Sequence, residues 1–141
     1  MIAYLLDTTT ISHLQQFHPR AMARYIAAAA AGVPTGTTTV NVDEATSGWF
    51  NQIRQARRPA DEARFAGYLA DTVRLLADLI IYPVTVPALS RFEALVRLKL
   101  NVGRADLKIA AVALELGAVV VTDDRRDFGR VPGLAVEDWL A

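Results

Sequence analysis

The chain has 141 residues and no cysteine, and 52% of its residues are hydrophobic. This length suits one domain over residues 1–141, and the composition excludes a disordered chain, thiolate catalysis, disulfides and cysteine-based zinc sites. Fifteen basic and fifteen acidic residues cancel, so no overall positive field favours nucleic acid. No apolar run is long enough to cross a membrane, and the start MIAYLLDT lacks the features of a secretion signal, so we expect a cytoplasmic protein.

The first part of the chain predicts two strands, each followed by a helix. The short apolar segment IAYLLD, which gives way to a threonine run, is typical of a buried strand. An alanine-rich helix is expected over residues 19–31, with Gly32 as its end. The β-branched residues 37–42 predict the next strand, and Glu44 is expected to open a helix that continues to about Arg57.

The middle of the chain continues this alternation. Pro59 suits the first turn of a helix whose apolar residues recur at helical spacing. Residues 79–84 predict a third strand, and Pro83 indicates the end of that strand or an edge position in the sheet. From Pro87 onward, apolar residues again recur every three or four positions, which predicts another helix.

The last third predicts a helix between two strands. The helix covers residues 106–116, has one apolar face and ends at Gly117. Residues 118–122 are almost all apolar, as expected for a strand covered on both faces, and residues 134–136 add a short last strand. Such alternation predicts an α/β fold in which helices cover a mostly parallel sheet.

Four acidic residues lie at the ends of predicted strands or near the starts of predicted helices: Asp7, Glu44, Asp106 and Asp124. The carboxyl ends of parallel strands face one crevice, so these side chains are expected to converge. Converging carboxylates repel one another and need a cation, and hard oxygen ligands suit Mg²⁺ or Mn²⁺. The pattern therefore predicts metal-dependent chemistry on a phosphate-containing substrate.

Each of these acids also has a structural explanation. Asp7 is in place to cap a helix or to form an Asx turn. Glu44 and Asp106 lie near helix starts, where the helix dipole favours a negative charge. Asp124 belongs to the turn-like segment DDRRD, in which solvated acids are common. One metal site nevertheless explains together what capping has to explain separately for each residue.

Basic residues form local groups although the net charge is zero. Solvated helix faces and loops are the common explanation for such groups. Because two groups flank the acids at positions 106 and 124, a phosphate-binding rim stays open as a hypothesis. The three basic groups are Arg54, Arg57, Arg58 and Arg64; Arg91, Arg97, Lys99, Arg104 and Lys108; and Arg125, Arg126 and Arg130.

The two histidines are not expected to bind a metal. His13 and His18 lack the spacing of metal ligands and are expected at the surface.

Three segments resemble those of a known family. They are YLLDTTTIS, TTVNVDEATSGW and, most specifically, NVGRADLKIAAVALELGAVVVTDDRRDFGRVPGLAVEDW. Through them nearly the whole chain resembles the PIN-domain ribonucleases, and among these the VapC-like toxins of bacterial toxin–antitoxin pairs. The resemblance implies one PIN domain over residues 1–141, folded as a three-layer α/β/α sandwich, and an endoribonuclease that depends on Mg²⁺ or Mn²⁺.

The resemblance also implies roles for individual residues. Asp7, Glu44, Asp106 and Asp124 match the family's acids, which are catalytic and bind the metal. The residues that match supporting positions are Thr8, Ser12, Thr122 and Asp127.

Two positions depart from the family pattern. Thr9 stands where asparagine is usual, which is expected to loosen the support around Asp7. Asp123 adds an acid next to Asp124, and successive side chains at a strand end point to opposite sides. Because the resemblance places the family's acid at position 124, we assign Asp124 to the metal and Asp123 to the rim of the site.

The resemblance further implies an RNA substrate, a cognate antitoxin that covers the acidic pocket, and a homodimer. Other hypotheses compete with it. A haloacid-dehalogenase-like phosphatase needs a second acid at the position of Thr9, and a receiver-type phosphoacceptor domain needs an aspartate within residues 82–86, which contain none. A catalytically silent PIN fold that only binds a partner has no need of all four acids.

Overall fold

The computed structural model describes residues 2–141, and its centre is a parallel sheet. Across the sheet the strand order is β3-β2-β1-β4-β5, and every neighbouring pair is parallel. The first strand is thus the central one, so the residue that follows it, Asp7, lies at the middle of the carboxyl edge. In chain order the strands are β1 (Tyr4–Leu6), β2 (Thr35–Thr38), β3 (Ile80–Tyr82), β4 (Val119–Val121) and β5 (Ala135–Glu137).

Helices cover both faces of this sheet. Leu5 and Leu6 of β1 point to opposite faces, because side chains alternate along a strand. Leu5 belongs to an apolar cluster with α5 and α6, and Leu6 to a second cluster with α1, α2 and the end of α4. Within residues 2–141 no helix is both long and apolar enough to cross a membrane. The helices are α1 (Thr8–Gln15), α2 (Pro19–Ala30), α3 (Thr39–Gln55), α4 (Pro59–Ala77), α5 (Val86–Arg97), α6 (Arg104–Leu116) and α7 (Arg125–Phe128).

The predicted fold class is confirmed: the chain forms a three-layer α/β/α sandwich, and its sheet is entirely parallel. Several boundaries also match. Pro19 and Pro59 begin α2 and α4, and Gly117 ends α6 in the left-handed region with a φ of 63°. The strand before Pro83 is an edge strand, as this proline indicates.

The predicted strand over residues 37–42 is wrong in its position. β2 ends at Thr38, and Val40 already belongs to α3. The Thr38 hydroxyl accepts a hydrogen bond from the Asn41 backbone N–H, and the Asn41 side chain accepts one from the Thr38 backbone N–H. This capping box overrides the β propensity of the valines. As a consequence Glu44 lies in the second turn of α3 and does not open the helix.

Two helices were not predicted. α1 begins directly after β1 because Asp7 caps it, and the threonine run that was interpreted as the end of a strand forms its first turn. α7 occupies part of the segment interpreted as a turn, and Asp124 caps it. Both helices start at an acid of the predicted site.

Replacement of Gly36 in β2 should test how tightly the sheet is packed. A Cβ atom at this position would overlap the backbone carbonyl oxygen of Ile80 and lie 2.7 Å from the Tyr82 ring. We expect Gly36→Ala to lower the free energy of unfolding by roughly 1–3 kcal/mol. The control is Gly67→Ala in α4, where no atom lies within 4 Å and stability should rise by up to about 1 kcal/mol. Urea unfolding curves measure both, and equal effects would contradict the packing argument.

Candidate metal centre

Asp7 is buried and held by three hydrogen-bond donors. Its Oδ1 accepts from the Thr8 backbone N–H at 2.8 Å and from Asn41 Nδ2 at 3.1 Å, and its Oδ2 accepts from Thr122 Oγ1 at 2.9 Å. Burial raises the pKa of this carboxyl above its ordinary value, whereas the three hydrogen bonds oppose the rise. The carboxylate is therefore fixed in orientation at the centre of the carboxyl edge.

Asn41 was not predicted as a site residue, although it contacts two residues that were. Its side chain is fully buried and donates to both Asp7 Oδ1 and Thr8 Oγ1, each at 3.1 Å. It also forms the capping box with Thr38 at the start of α3. The threonine three residues before this asparagine is the sequence signal that could have located the cap.

Glu44 lies at the exposed side of the site. Its Oε1 accepts a hydrogen bond from Thr8 Oγ1 at 3.2 Å, so the Thr8 hydroxyl links Glu44 to the Asn41 side chain. Burial raises the pKa of Glu44, and the negative charges of Asp7 and Asp43 raise it further, against the effect of the Thr8 hydrogen bond. The structure thus brings Glu44 into the electrostatic field of Asp7.

Asp106, Asp124 and Asp127 form the tightest acidic group. One carboxylate oxygen from each lies within 4.8 Å of the others. Burial raises the pKa of Asp106 to about 6, and the surrounding carboxylates contribute to this shift. The charges that act on Asp106 include Asp7 and Glu44 from the other side of the site. The other three predicted acids are therefore near enough for their charges to act on Asp106, and Asp127 lies in the tight group itself and not only in a supporting position.

The segment after β4 separates the neighbouring acids Asp123 and Asp124. The Asp124 backbone N–H donates to Thr122 Oγ1 at 3.0 Å, and Asp124 Oδ1 accepts from the Asp127 backbone N–H at 3.2 Å. Asp123 lies beside α1, where its Oδ2 is 3.6 Å from His13 Nε2, and its charge contributes to the raised pKa of Asp7. The cluster thus contains Asp124 and not Asp123.

Within residues 2–141, Ser12 and Thr9 make no hydrogen bond with the predicted acids, although Ser12 lines a cavity together with Glu44. Ser12 is exposed, and its Oγ accepts a hydrogen bond from Gln16 Nε2 at 3.3 Å. Thr9 is exposed as well, and the three donors to Asp7 come from other residues. The expected loosening around Asp7 is therefore not visible in its hydrogen bonds. His18 caps α2, because its Nδ1 accepts from the Ala21 backbone N–H at 3.4 Å.

The donor set fits a divalent cation. All the candidate ligand atoms are carboxylate oxygens, which are the hard donors that Mg²⁺ and Mn²⁺ prefer. The pKa values of Asp7, Glu44 and Asp106 are all raised, first by burial and then by neighbouring carboxylates, so the ionised side chains are held at an electrostatic cost. A bound cation would remove the repulsive part of that cost. Asp106, Asp124 and Asp127 are the residues whose oxygens lie close enough together to hold it.

The sequence matches the PIN domain family over residues 4–134, and the chain belongs to this family. This result decides against the phosphatase and receiver-domain hypotheses. A comparison with curated protein sequences gave no significant match.

Solved structures with the same fold include VapBC assemblies. A chain of the DNA-bound VapBC structure from Salmonella typhimurium is 24% identical, with a TM-score of 0.78 over 99% of both chains. A chain of VapBC-1 from nontypeable Haemophilus influenzae is 20% identical, with a TM-score of 0.78 over 99% of this chain and 100% of that one. A chain of VapBC2 from Rickettsia felis, bound to a promoter DNA fragment, is 22% identical, with a TM-score of 0.75 over 99% of both chains. At these identities the likeness is one of fold.

The raised pKa of Asp106 predicts how stability depends on pH in metal-free protein. Below the ordinary value of 3.8 the carboxyl is protonated in both the folded and the unfolded chain, so it has no effect. Between 3.8 and about 6 the unfolded chain gives up this proton while the folded chain keeps it, so stability falls across this range and levels off above it. Asp106→Asn should therefore become increasingly more stable than the unsubstituted protein between about pH 4 and pH 6.

Thermal unfolding in chelator at several pH values measures this difference. Glu93→Gln is the control, because it removes one negative charge from an exposed position on α5 outside the cluster. A stability difference for Asp106→Asn that does not grow with pH, or one that Glu93→Gln reproduces, would contradict the predicted repulsion.

Proposed function

We propose that this protein is a metal-dependent endoribonuclease that hydrolyses phosphodiester bonds in RNA, and that residues 1–141 act as one PIN domain. The observation that carries the proposal is the convergence of Asp7, Glu44, Asp106 and Asp124 at the carboxyl edge of the sheet. Membership of the PIN family, whose members are nucleases, supports it. Mg²⁺ or Mn²⁺ is the proposed cofactor, and the cytoplasm is the proposed compartment.

In this proposal the role of each acid follows from its position in the site. Asp106 and Asp124, together with Asp7 or Asp127, would hold the cation, and such an ion, when bound, polarises a phosphate oxygen and lowers the pKa of water. Thr122 and Asn41 hold Asp7 in one orientation, so no reorganisation of this carboxylate is needed during the reaction. Glu44 lies on the open side and is held by Thr8, which suits a group that orients the attacking water.

We further propose that the enzyme is the toxin of a toxin–antitoxin pair. The similar chains come from VapBC assemblies, and one such neighbour is described as a member of the VapBC family of toxin-antitoxin systems, from Mycobacterium tuberculosis. Its identity is 24% and its TM-score 0.58. By this analogy an antitoxin would cover the acidic pocket, and the toxin would form a homodimer. Co-expression with the product of a neighbouring short reading frame, followed by pull-down, tests the partner.

Cleavage of RNA by the purified protein is the decisive test, and it should require Mg²⁺ or Mn²⁺. Excess EDTA should abolish the activity, and either ion should restore it, because carboxylates alone supply no strong nucleophile. Asp7→Asn protein prepared in the same way controls for contaminating nuclease, since its rate should fall by on the order of 10²-fold or more. If RNA cleavage is undiminished in chelator and Asp7→Asn cleaves RNA at the unsubstituted rate, the proposal is wrong.

The roles of Asp123 and Asp124 can be separated with a pair of matched variants. Asp124→Asn should lower kcat by on the order of 10²-fold or more, by loss of a preorganised charge. Asparagine still caps a helix, so α7 should be retained. Asp123→Asn should leave kcat nearly unchanged and modestly lower KM at low salt, because it removes negative charge at the rim. Both constants are measured on one RNA, and a larger kcat loss in Asp123→Asn would reverse the assignment.

A further inference from the structure

The turn between α3 and α4 concentrates positive charge. Residues 54–64, which we name the hairpin tip, contain four arginines and two acids, a net charge of +2 in a chain whose net charge is zero. All four arginines are exposed. The tip is thus a local positive surface of the kind that attracts phosphates. The arginines are Arg54, Arg57, Arg58 and Arg64.

The acids of the hairpin tip do not neutralise it. Arg58 and Arg64 share one carboxylate, Asp61, at 3.5 and 3.4 Å. Arg54 lies over the Phe50 ring with its guanidinium carbon 5.7 Å from the ring centroid. Within residues 2–141 Arg57 makes no ion pair. Exposed pairs of this kind are weak, so these guanidinium groups stay available to a ligand.

Two neighbouring cavities, which share Gln52 in their walls, lie between the acidic site and the hairpin tip. Beside Glu44 a cavity of about 260 Å³ lies between α1, α3 and α4, with Trp49 and Gln52 in its wall. Gln52 also lines the next cavity, of about 360 Å³, whose other walls include Arg57 and Arg58. Along α3 the eleven steps from Glu44 to Gln55 cover roughly 17 Å, at about 1.5 Å per residue.

Aromatic side chains lie along these cavities. The Trp49 ring lies 5.0 Å from the Tyr68 ring and 6.4 Å from the Phe65 ring, measured between centroids. The guanidinium carbon of Arg64 lies 5.0 Å above the Phe65 ring. Positive groups interleaved with aromatic rings are the usual composition of surfaces that bind single-stranded nucleic acid, because the rings accept bases and the cations accept phosphates.

We propose that the face of α3 and the hairpin tip form a docking track for single-stranded RNA, with the cleaved bond at the acidic site and the chain running toward Arg57 and Arg58. The inference rests on the proposed nuclease function and extends it. The acidic centre itself repels phosphates, so attraction has to come from a separate surface, and the tip supplies it. At a stacked spacing of about 3.4 Å per phosphate, the track of roughly 17 Å holds about five nucleotides.

The first experiment measures RNA binding without cleavage. A labelled single-stranded RNA of about 12 nucleotides is titrated in EDTA with Arg57→Gln/Arg58→Gln protein and with the unsubstituted protein. Arg58 is the N-cap residue of α4 but makes no side-chain cap hydrogen bond, and both residues are exposed, so the fold should be unaffected. Affinity should fall about tenfold, and the slope of log K against log salt should shrink by about 1.4, at roughly 0.7 per lost phosphate contact.

Arg74→Gln is the matched control. Arg74 is exposed on the same helix and lies ten residues beyond Arg64, about 15 Å away along α4. It carries the same charge and pairs with Asp71 at 3.1 Å. Its replacement should leave both the affinity and the salt slope within experimental error.

The second experiment uses the length of the track. RNA substrates that extend five or more nucleotides from the cleaved bond toward the tip should lose about tenfold in kcat/KM with the double variant, while kcat at saturation stays constant. Substrates trimmed below about five nucleotides on that side should be cleaved equally by both proteins. Trimming each end in turn shows which direction the chain takes.

The outcomes separate the track from the nuclease function. If the double variant binds and cleaves RNA like Arg74→Gln, the track is wrong although the nuclease proposal stands. If the double variant keeps its RNA affinity but escapes inhibition by an antitoxin, the tip is a protein-docking surface and the inference is overturned. If the unsubstituted protein neither binds nor cleaves any RNA, the proposed function fails and the track fails with it.

Discussion

The burial of clustered carboxylates at one edge of the sheet is the constraint to which the rest of the structure responds. Asp7, Glu44, Asp106, Asp124 and Asp127 converge, and the pKa of Asp106 rises to about 6 as a result of burial and of its neighbours' charges. Negatively charged side chains in such a cluster move apart unless hydrogen bonds hold each of them in place. The parallel topology brings them together, and local hydrogen bonds keep them in place.

Three of these carboxylates are held in place at the amino ends of helices. Asp7 caps α1, Asp124 caps α7, and Asp106 lies in the first turn of α6. The amino end of a helix carries a partial positive charge, which offsets part of the repulsion. Capping and metal binding are therefore compatible explanations for the same residues: the contacts that cap the helices also aim the carboxylates into one crevice.

The sequence predicted the sheet, the proline and glycine boundaries and the acids, because these depend on apolar runs and on strong local preferences. The buried strand predicted from IAYLLD is an example, because Leu5 and Leu6 of β1 are both buried. The sequence did not reveal where β2 ends. The valines favour a strand, and only the contact between Thr38 and Asn41 decides for a helix. The role of Asn41 was missed for a related reason: its contact with Asp7 joins residues 34 positions apart, which no local pattern reveals.

The three donors around Asp7 also limit how this residue can coordinate a cation. A carboxylate offers about four lone pairs, and Oδ1 uses two of them for Thr8 and Asn41, while Oδ2 uses one for Thr122. One lone pair on Oδ2 is left, so Asp7 can act only as a monodentate ligand. Ca²⁺ commonly fills a shell of six to eight oxygens with bidentate carboxylates, whereas the smaller octahedral Mg²⁺ does not need them. The hydrogen bonds that hold Asp7 rigid thus also limit the number of oxygen lone pairs that this residue can offer to a cation.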